Sequence, residues 1–480
     1  MTKKKASTRK RSTSKRTSRR AAAVSSLEPI AALTQDSDDF GIQTTGRSVV
    51  TFLDTSSSGV KASMAAMKKH VGVKQFSMAS DFKKEFSMAE ADTADALVFD
   101  ELGIAVMDTA PDQTTGVQAL AASAESNVVV EPEYVNFAFA DGLDDDLVGD
   151  GAGLLGFDGR GGGALPNQEY LRGYRDALDN LLRQLSGGSE AAAASSDTAS
   201  STWGLKATRA LSSGSSGRGI RVAVLDTGFD LRHPDFAGRT VRSDSFIPGE
   251  SVQDRNGHGT HCIGTSCGPE QPGVGPRYGV AFNAEIFVGK VLSNAGSGGD
   301  RSILAGINWA LRNGCQVISM SLGRPTRPGE QPQTNYSQAS ARALRAGTLI
   351  IAAAGNESNR RVGIVRPVAS PANAPAIVAV AAINRSLRIA NFSNRAINPS
   401  GGEVNFAGPG VDVHSSWPMP IRLRSISGTS MATPHAAGVA ALIAQESRAF
   451  RGRRLYQEMR RRVRALSLPR VDVGNGLIQA

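Results

Sequence analysis

The sequence predicts an α/β protein whose larger part is built on a mostly parallel sheet covered by helices on both faces, preceded by a small α+β domain. Three observations carry that prediction. Apolar strand-like runs recur at 220–225, 285–292, 315–322, 348–354 and 376–383, with helical stretches near 300–313, 337–346 and 430–446 between several of them. Strands that are apolar throughout and alternate with helices belong to a parallel sheet buried on both sides. Upstream, residues 46–139 alternate shorter strand and helix patches in a β-α-β-β-α-β order, which fits a ferredoxin-like fold. Charge divides the 480 residues the same way: net +10 over residues 1–20, −17 over 21–200 and +17 over 201–480. An acidic segment beside a basic domain suggests an intramolecular pair steered by charge.

Taken in order, residues 1–45 form a basic tail with no apolar period, and disorder is expected there. The tail has no interleaved aromatic residues, so it reads as solvated and not as a nucleic-acid arm. Its basic start is followed by a poor apolar region at 21–33, interrupted by Ser25, Ser26, Glu28 and Pro29, so no clean secretory signal is expected. Ser18-Arg19-Arg20 is a faint twin-arginine pattern. No run of 18 apolar residues occurs, which predicts no membrane helix and no membrane partner. Within 46–139, strands are expected at 47–53, 96–100, 103–107 and 127–134, with helices up to about Val71 and over 113–124. Residues 140–201 read as a Gly/Asp- and Ala/Ser-rich linker with one helix at 167–185, where Tyr170, Tyr174, Leu178, Leu181 and Leu182 share a face. The large domain is expected over 202–480.

The chemistry concentrates in four short stretches. Ser430 opens a run, Met431 to Ala444, of mostly small apolar residues. That run predicts a buried helix with the serine at its N-terminal mouth, where free N–H groups favour developing negative charge. Pro434 is expected in the first turn of that helix, where its missing N–H is no loss. The strand 220–225 runs into Asp226, His258 lies in the Gly-flanked Asn256-Gly257-His258-Gly259-Thr260-His261, and the strand 348–354 leads to Asn356. Ligands of such sheets bind beyond the carboxyl ends of the strands, where Asp226 and Asn356 fall.

Asp, His, Asn and Ser in that order and in those settings resemble the subtilisin-like serine proteases, the subtilases, over about 202–480. The resemblance implies a serine endopeptidase acting through an acyl-enzyme on Ser430. His258 would be the proton carrier, Asp226 the orienting carboxylate, and Asn356 with the Ser430 N–H the donors to the oxyanion. It further implies that residues 46–139 are a propeptide, an intramolecular inhibitor whose closing strand carries the Val-Glu-Pro-acid pattern around Glu131 and Glu133. The chain would then be a zymogen activated by self-cleavage, and the 140–201 insertion leaves the cut position open.

Substrate, a peptide or protein, is expected as an added strand along Ser321, Leu322 and Gly323 and near Gly298 and Gly299. The first pocket would be walled by Ala352–Gly355, Ala354 and Gly355 included, with Glu357 at its rim admitting basic beside large apolar side chains. No cofactor is expected for catalysis, and a structural calcium is expected only if Asp235 supplies a ligand. Cys262 resembles the buried cysteine of thiol-containing members. Three cysteines make no disulfide framework, and a Cys262–Cys267 bridge stays open. His233, His261 and His435 read as structural. A monomer is expected, and the compartment stays open between the exported habit of relatives and the missing signal. Two alternatives remain: a subtilase-type peptide ligase or macrocyclase, and a non-catalytic binding protein, which would show a damaged triad.

Overall fold

The computed structural model describes residues 41–81, 93–123, 126–139 and 196–480. The basic tail up to residue 40 and the linker over 140–195, including the helix expected at 167–185, lie outside the described residues.

The first unit runs β1 (Thr44–Phe52), α1 (Ser57–Val71), β2 (Phe76–Met78), β3 (Ala96–Phe99), β4 (Ile104–Met107), α2 (Thr114–Ala122) and β5 (Val128–Ala138). The strand order is β5-β1-β4-β3-β2. The first four strands of that series are antiparallel neighbours, and β2 adds a parallel edge to β3. At three residues, β2 is too short for a period-two pattern to reveal it. Helix α1 starts where Ser56 accepts the Gly59 N–H and ends at Gly72, whose left-handed backbone suits a residue without Cβ.

Both faces of this sheet are apolar. Val50, Phe52, Val98, Ala105 and Met107 pack with α1 and α2 residues such as Met67 and Leu120. Val49, Leu97, Phe99, Ile104 and Val106 point the other way, into a core shared with the larger unit. Successive strand residues face opposite sides, so runs such as Val49-Val50 need two partners.

The larger unit begins with residues packed ahead of the expected boundary at 202. Asp197 accepts the Trp203 N–H at 2.7 Å and binds Arg385 at 2.7 Å, and the Arg277 N–H donates to the Ser200 carbonyl. After α3 (Trp203–Ala207) come β6 (Arg221–Asp226), β7 (Val241–Ser245), α4 (His258–Cys267), β8 (Glu285–Lys290), β9 (Ser297–Gly299), α5 (Asp300–Arg312), β10 (Val317–Met320) and β11 (Leu322–Gly323). There follow α6 (Thr334–Arg345), β12 (Leu349–Ala353), β13 (Ile377–Ile383), β14 (Phe406–Pro409), β15 (Val413–Ser416), β16 (Leu423–Ile426), α7 (Thr429–Glu446), α8 (Gly452–Arg461) and α9 (Arg470–Val473).

Seven strands in the order β14-β13-β12-β10-β6-β8-β7 form one sheet, parallel throughout. Val222 and Val224 of β6 face α4 and α7, and Ala223 and Leu225 face α5 and α6. The outer strands β7 and β14 escaped the sequence reading because edge strands carry polar or Gly-Pro residues instead of an apolar run.

Pro434 lies inside α7, past its first turn, contrary to expectation. The missing N–H leaves the Ser430 carbonyl without its helical partner, and the Ser321 hydroxyl donates to it at 2.8 Å. The second turn therefore tolerates proline because a neighbouring strand end supplies the lost hydrogen bond. Near residue 480, Leu477 bridges parallel to Ala407 and antiparallel to Arg464.

Candidate active site

The four sequence-marked residues converge at the carboxyl ends of the central strands. Asp226 ends β6, and one carboxylate oxygen accepts the Thr227 N–H and lies 2.7 Å from His258 Nδ1. His258 opens α4, whose N-terminus is organised by Asp254. One oxygen of Asp254 accepts the Asn256 and Gly257 N–H groups and the Thr227 hydroxyl, and the other accepts from Thr260. Gly257 has φ 108°, and a Cβ there would meet the Trp417 ring at 2.3 Å, so the turn into this helix requires glycine.

Burial is the largest single effect on His258 and works against its charged form, but the charge and hydrogen bond of the Asp226 carboxylate, with the adjacent Cys262 sulfur, together outweigh it and hold the imidazole well above the ordinary histidine pKa. His258 Nε2 has no partner, and the Ser430 hydroxyl donates instead to the Ser321 carbonyl at 3.0 Å.

Asn356 follows β12. Its side-chain oxygen accepts both the N–H and the hydroxyl of Thr429, at 2.9 and 2.7 Å. Those two donors fix the amide orientation and turn Nδ2 into the cleft, where it donates to the Phe139 carbonyl at 3.1 Å. A Cβ on Gly428 would sit 2.7 Å from that carbonyl oxygen and 3.1 Å from Asn356 Nδ2. Glycine there leaves room for the carbonyl.

Residues 135–139 thus lie extended in the cleft. β5 pairs antiparallel with β9, setting Asn136 opposite Gly298 and Val135 opposite Gly299, and with β11, setting Ala138 opposite Leu322. The Ala138 N–H donates to the Gly296 carbonyl at 2.9 Å and the Phe139 N–H to Ser321 at 3.4 Å. The Phe139 ring is buried against Ala353 and Ala369, and Gly323 lies beside it, where a Cβ would come within 2.9 Å of the ring. Ser321, Leu322, Gly323, Gly298 and Gly299 therefore come together around one extended segment. Ala354 and Gly355 continue the wall begun by Ala353. The Glu357 carboxylate lies beside Gly355, accepts from Asn394, and is pushed up to about 7 by burial.

Cys262 sits beneath the imidazole, its Sγ 3.9 Å from His258 Nδ1, and burial raises its thiol pKa. Asp226, His258 and Cys262 are the one group of potential metal-ligating side chains found among the described residues; the short Asp226–His258 bond already accounts for the imidazole nitrogen they share. All three cysteines are free, and Cys262 and Cys267 lie on the same helix. His261 and His435 are held neutral by burial, at about 3 and about 4, and bond the carbonyls of Val413 and Met431. His233 bonds the Arg422 carbonyl.

Asp235 does not fit a calcium ligand. Its oxygens receive the Arg422 guanidinium at 2.7 Å, the Tyr278 hydroxyl at 2.8 Å and the Gly273 N–H at 3.1 Å. A hard cation needs oxygen ligands, and here a guanidinium fills the place of a cation.

The subtilase family model matches residues 217–475. The chain belongs to the subtilase family. Among its relatives, subtilisin Savinase of Lederbergia lenta is 38% identical over 284 residues, 58% of this chain and 96% of the relative. Subtilisin DY of Bacillus licheniformis is 38% identical over 241 residues, 50% of this chain and 81% of the relative. Subtilisin E of Bacillus subtilis strain 168 is 40% identical over 243 residues, 50% of this chain and 59% of the relative. This subtilase is a serine-type endopeptidase, a hydrolase whose substrates are peptides or proteins.

Sequence reasoning missed three supporting residues. Thr429 orients Asn356, Asp254 organises the His258 helix, and Asp300 lies against the segment in the cleft. Thr429 and Asp254 sit within four residues of a marked residue, and that proximity was the available signal. Asp300 directly follows the marked Gly299, but its place rests on donors from Tyr134, Asn136, Gln333 and Tyr336, which no local motif brings together.

Proposed function

We propose that this endopeptidase is made as a zymogen, that the unit ending at Phe139 is its inhibitory propeptide, and that the enzyme cuts its own Phe139–Ala140 bond. The observation that carries this reading is the Phe139 carbonyl held by Asn356 Nδ2 at 3.1 Å between two cleft strands. In the proposed reaction Ser430 Oγ swings from the Ser321 carbonyl toward His258 Nε2, gives up its proton there, and bonds to the Phe139 carbonyl carbon. Asp226 holds the imidazole in the tautomer that accepts at Nε2 and stabilises the imidazolium. Asn356 and the Ser430 N–H at the α7 N-terminus take the oxyanion. His258 then passes the proton to the Ala140 nitrogen as the C–N bond breaks, and water hydrolyses the ester to leave Phe139 as a carboxylate.

Two further features support inhibition by the same unit. Glu131 accepts the Thr334 and Asn335 N–H groups, and Glu133 the Arg301 N–H at 2.7 Å. These acids cap the N-termini of α6 and α5, neither of which has a side-chain cap of its own. The shared core described above seals the remainder.

The test is labelling with a serine-directed fluorophosphonate together with hydrolysis of a peptide bearing phenylalanine before the cut. Wild type is expected to label and hydrolyse, and Ser430→Ala to do neither. Equal labelling of Ser430→Ala overturns the assignment of the nucleophile.

A further inference from the structure

Asp300 is the first residue of α5 and is fully buried. Its carboxylate receives four donors. Two come from the enzyme, the Tyr336 hydroxyl at 2.7 Å and Gln333 Nε2 at 3.3 Å. The other two come from β5: Asn136 Nδ2 at 2.8 Å and the Tyr134 N–H at 2.9 Å. Asn136 is the fourth residue counting back from the proposed cut, and Tyr134 the sixth. When β5 leaves the cleft, a buried carboxylate therefore loses half its donors and faces whatever substrate replaces them. The sixth residue's donor is a main-chain N–H that every peptide except one with proline there supplies. The fourth residue's donor is a side chain, so only that position can discriminate.

We propose that Asp300 sets the substrate preference four residues before the cut, and that this pocket takes a carboxamide side chain. The inference rests on reading β5 as a substrate-like occupant. An apolar side chain in the pocket leaves the Asp300 oxygen that Asn136 contacts with the Tyr336 hydroxyl as its one remaining side-chain donor. Sites built to hydrogen-bond a group discriminate against analogues lacking it far more than apolar pockets discriminate by size. A carboxylate in the same position faces Asp300 directly and is repelled. The guanidinium of Arg324, stacked on the Tyr134 ring at 3.9 Å and acting on Asp300 electrostatically, already supplies positive potential there, so a neutral donor completes the set. The side-chain oxygen of Asn136 has no partner, consistent with a pocket that reads the donor half of the amide.

The test uses processed wild-type enzyme and the peptides Tyr-Val-X-Phe-Ala-Phe-p-nitroanilide with X as Asn, Ala, Leu or Asp, which copy residues 134–139. Hydrolysis of the Ala peptide reports on the enzyme itself, and the order across X reports on Asp300. The expected kcat/KM is highest for Asn, exceeding Leu by about tenfold or more and Asp by at least as much. Asp300→Asn, which keeps the shape of the side chain, is expected to compress the Asn-to-Leu ratio to about threefold or less. Hydrolysis of the Ala peptide with Leu equal to or better than Asn overturns the Asp300 assignment and leaves the protease reading intact. Release of no p-nitroaniline from any peptide overturns both. If Asp300→Asn does not fold, the wild-type series alone decides.

Discussion

At the scale of single residues, the proposed catalytic constellation is a set of donors and acceptors whose orientations are fixed before substrate arrives. Thr429 occupies both acceptor sites of the Asn356 oxygen, so the amide can only donate into the cleft. Asn356→Ala is expected to lower kcat by about 10²–10³-fold with little change in KM, measured on a peptide series, because an oxyanion donor acts mainly in the transition state. His258 must be neutral to accept the serine proton, and Asp226 raises its pKa. The acid limb of the kcat/KM–pH profile is therefore expected above pH 6.5, the ordinary imidazole value; a limb well below that contradicts the coupling. Glu357 supplies a second pH effect of defined sign. With a pKa of about 7, it is mostly neutral at pH 6 and mostly charged at pH 8. The kcat/KM ratio of lysine over phenylalanine immediately before the cut should rise over that interval, by roughly fivefold for an ion pair of about 1 kcal/mol. Glu357→Gln should flatten it. The triad candidates and Asn356 were legible in the sequence because each stands in a short motif of its own. Glu357 was expected at the first pocket as well, but its burial and titration were not legible, since they depend on Asn394 and the wall around Gly355.

At the scale of elements, β5 joins the two units. It contributes Glu131 and Glu133 as caps for two helices, the strand pairing that fills the cleft, and Asn136 for Asp300. Replacing Glu131 with alanine removes a charged cap from α6, a loss of about 1–2 kcal/mol. The variant is expected to shorten the delay between cutting and the appearance of activity on an added peptide; an unchanged delay would show that the cap does not hold the inhibited state. The parallel strands β6, β8, β10, β12 and β13 were readable from their apolar runs, since a strand buried on both faces carries no polar interruption. The edge strands β7 and β14, and the three-residue β2, lacked that signal. Pro434 was misplaced for a related reason. Sequence rules confine proline to a first helical turn, and only the tertiary contact from Ser321 to the Ser430 carbonyl relaxes them.

At the scale of the whole molecule, one sheet with two apolar faces lies between its own helices and the enzyme. Val49, Leu97, Phe99, Ile104 and Val106 are buried only while the units stay together. Burial of apolar side chains of this size typically stabilises by about 1.5–3 kcal/mol each. A fragment released with that face exposed should unfold and become a substrate. In a mass-spectrometric time course the 1–139 fragment is expected to appear and then decay, and to persist when fluorophosphonate is added after the cut; persistence without the inhibitor would show that the fragment is stable alone. The acidic and basic halves suggested a pair in the sequence, but not the bond proposed as the cut, because the linker gives no composition signal at Phe139. The most direct measurement is intact mass with N-terminal sequencing of purified wild type beside Ser430→Ala. The expected result is a wild-type chain whose first cut leaves Ala140 at its N-terminus, before any later trimming, and a Ser430→Ala chain at full length. A wild-type chain first cut elsewhere, or a Ser430→Ala chain processed at the same bond in isolation, would contradict it.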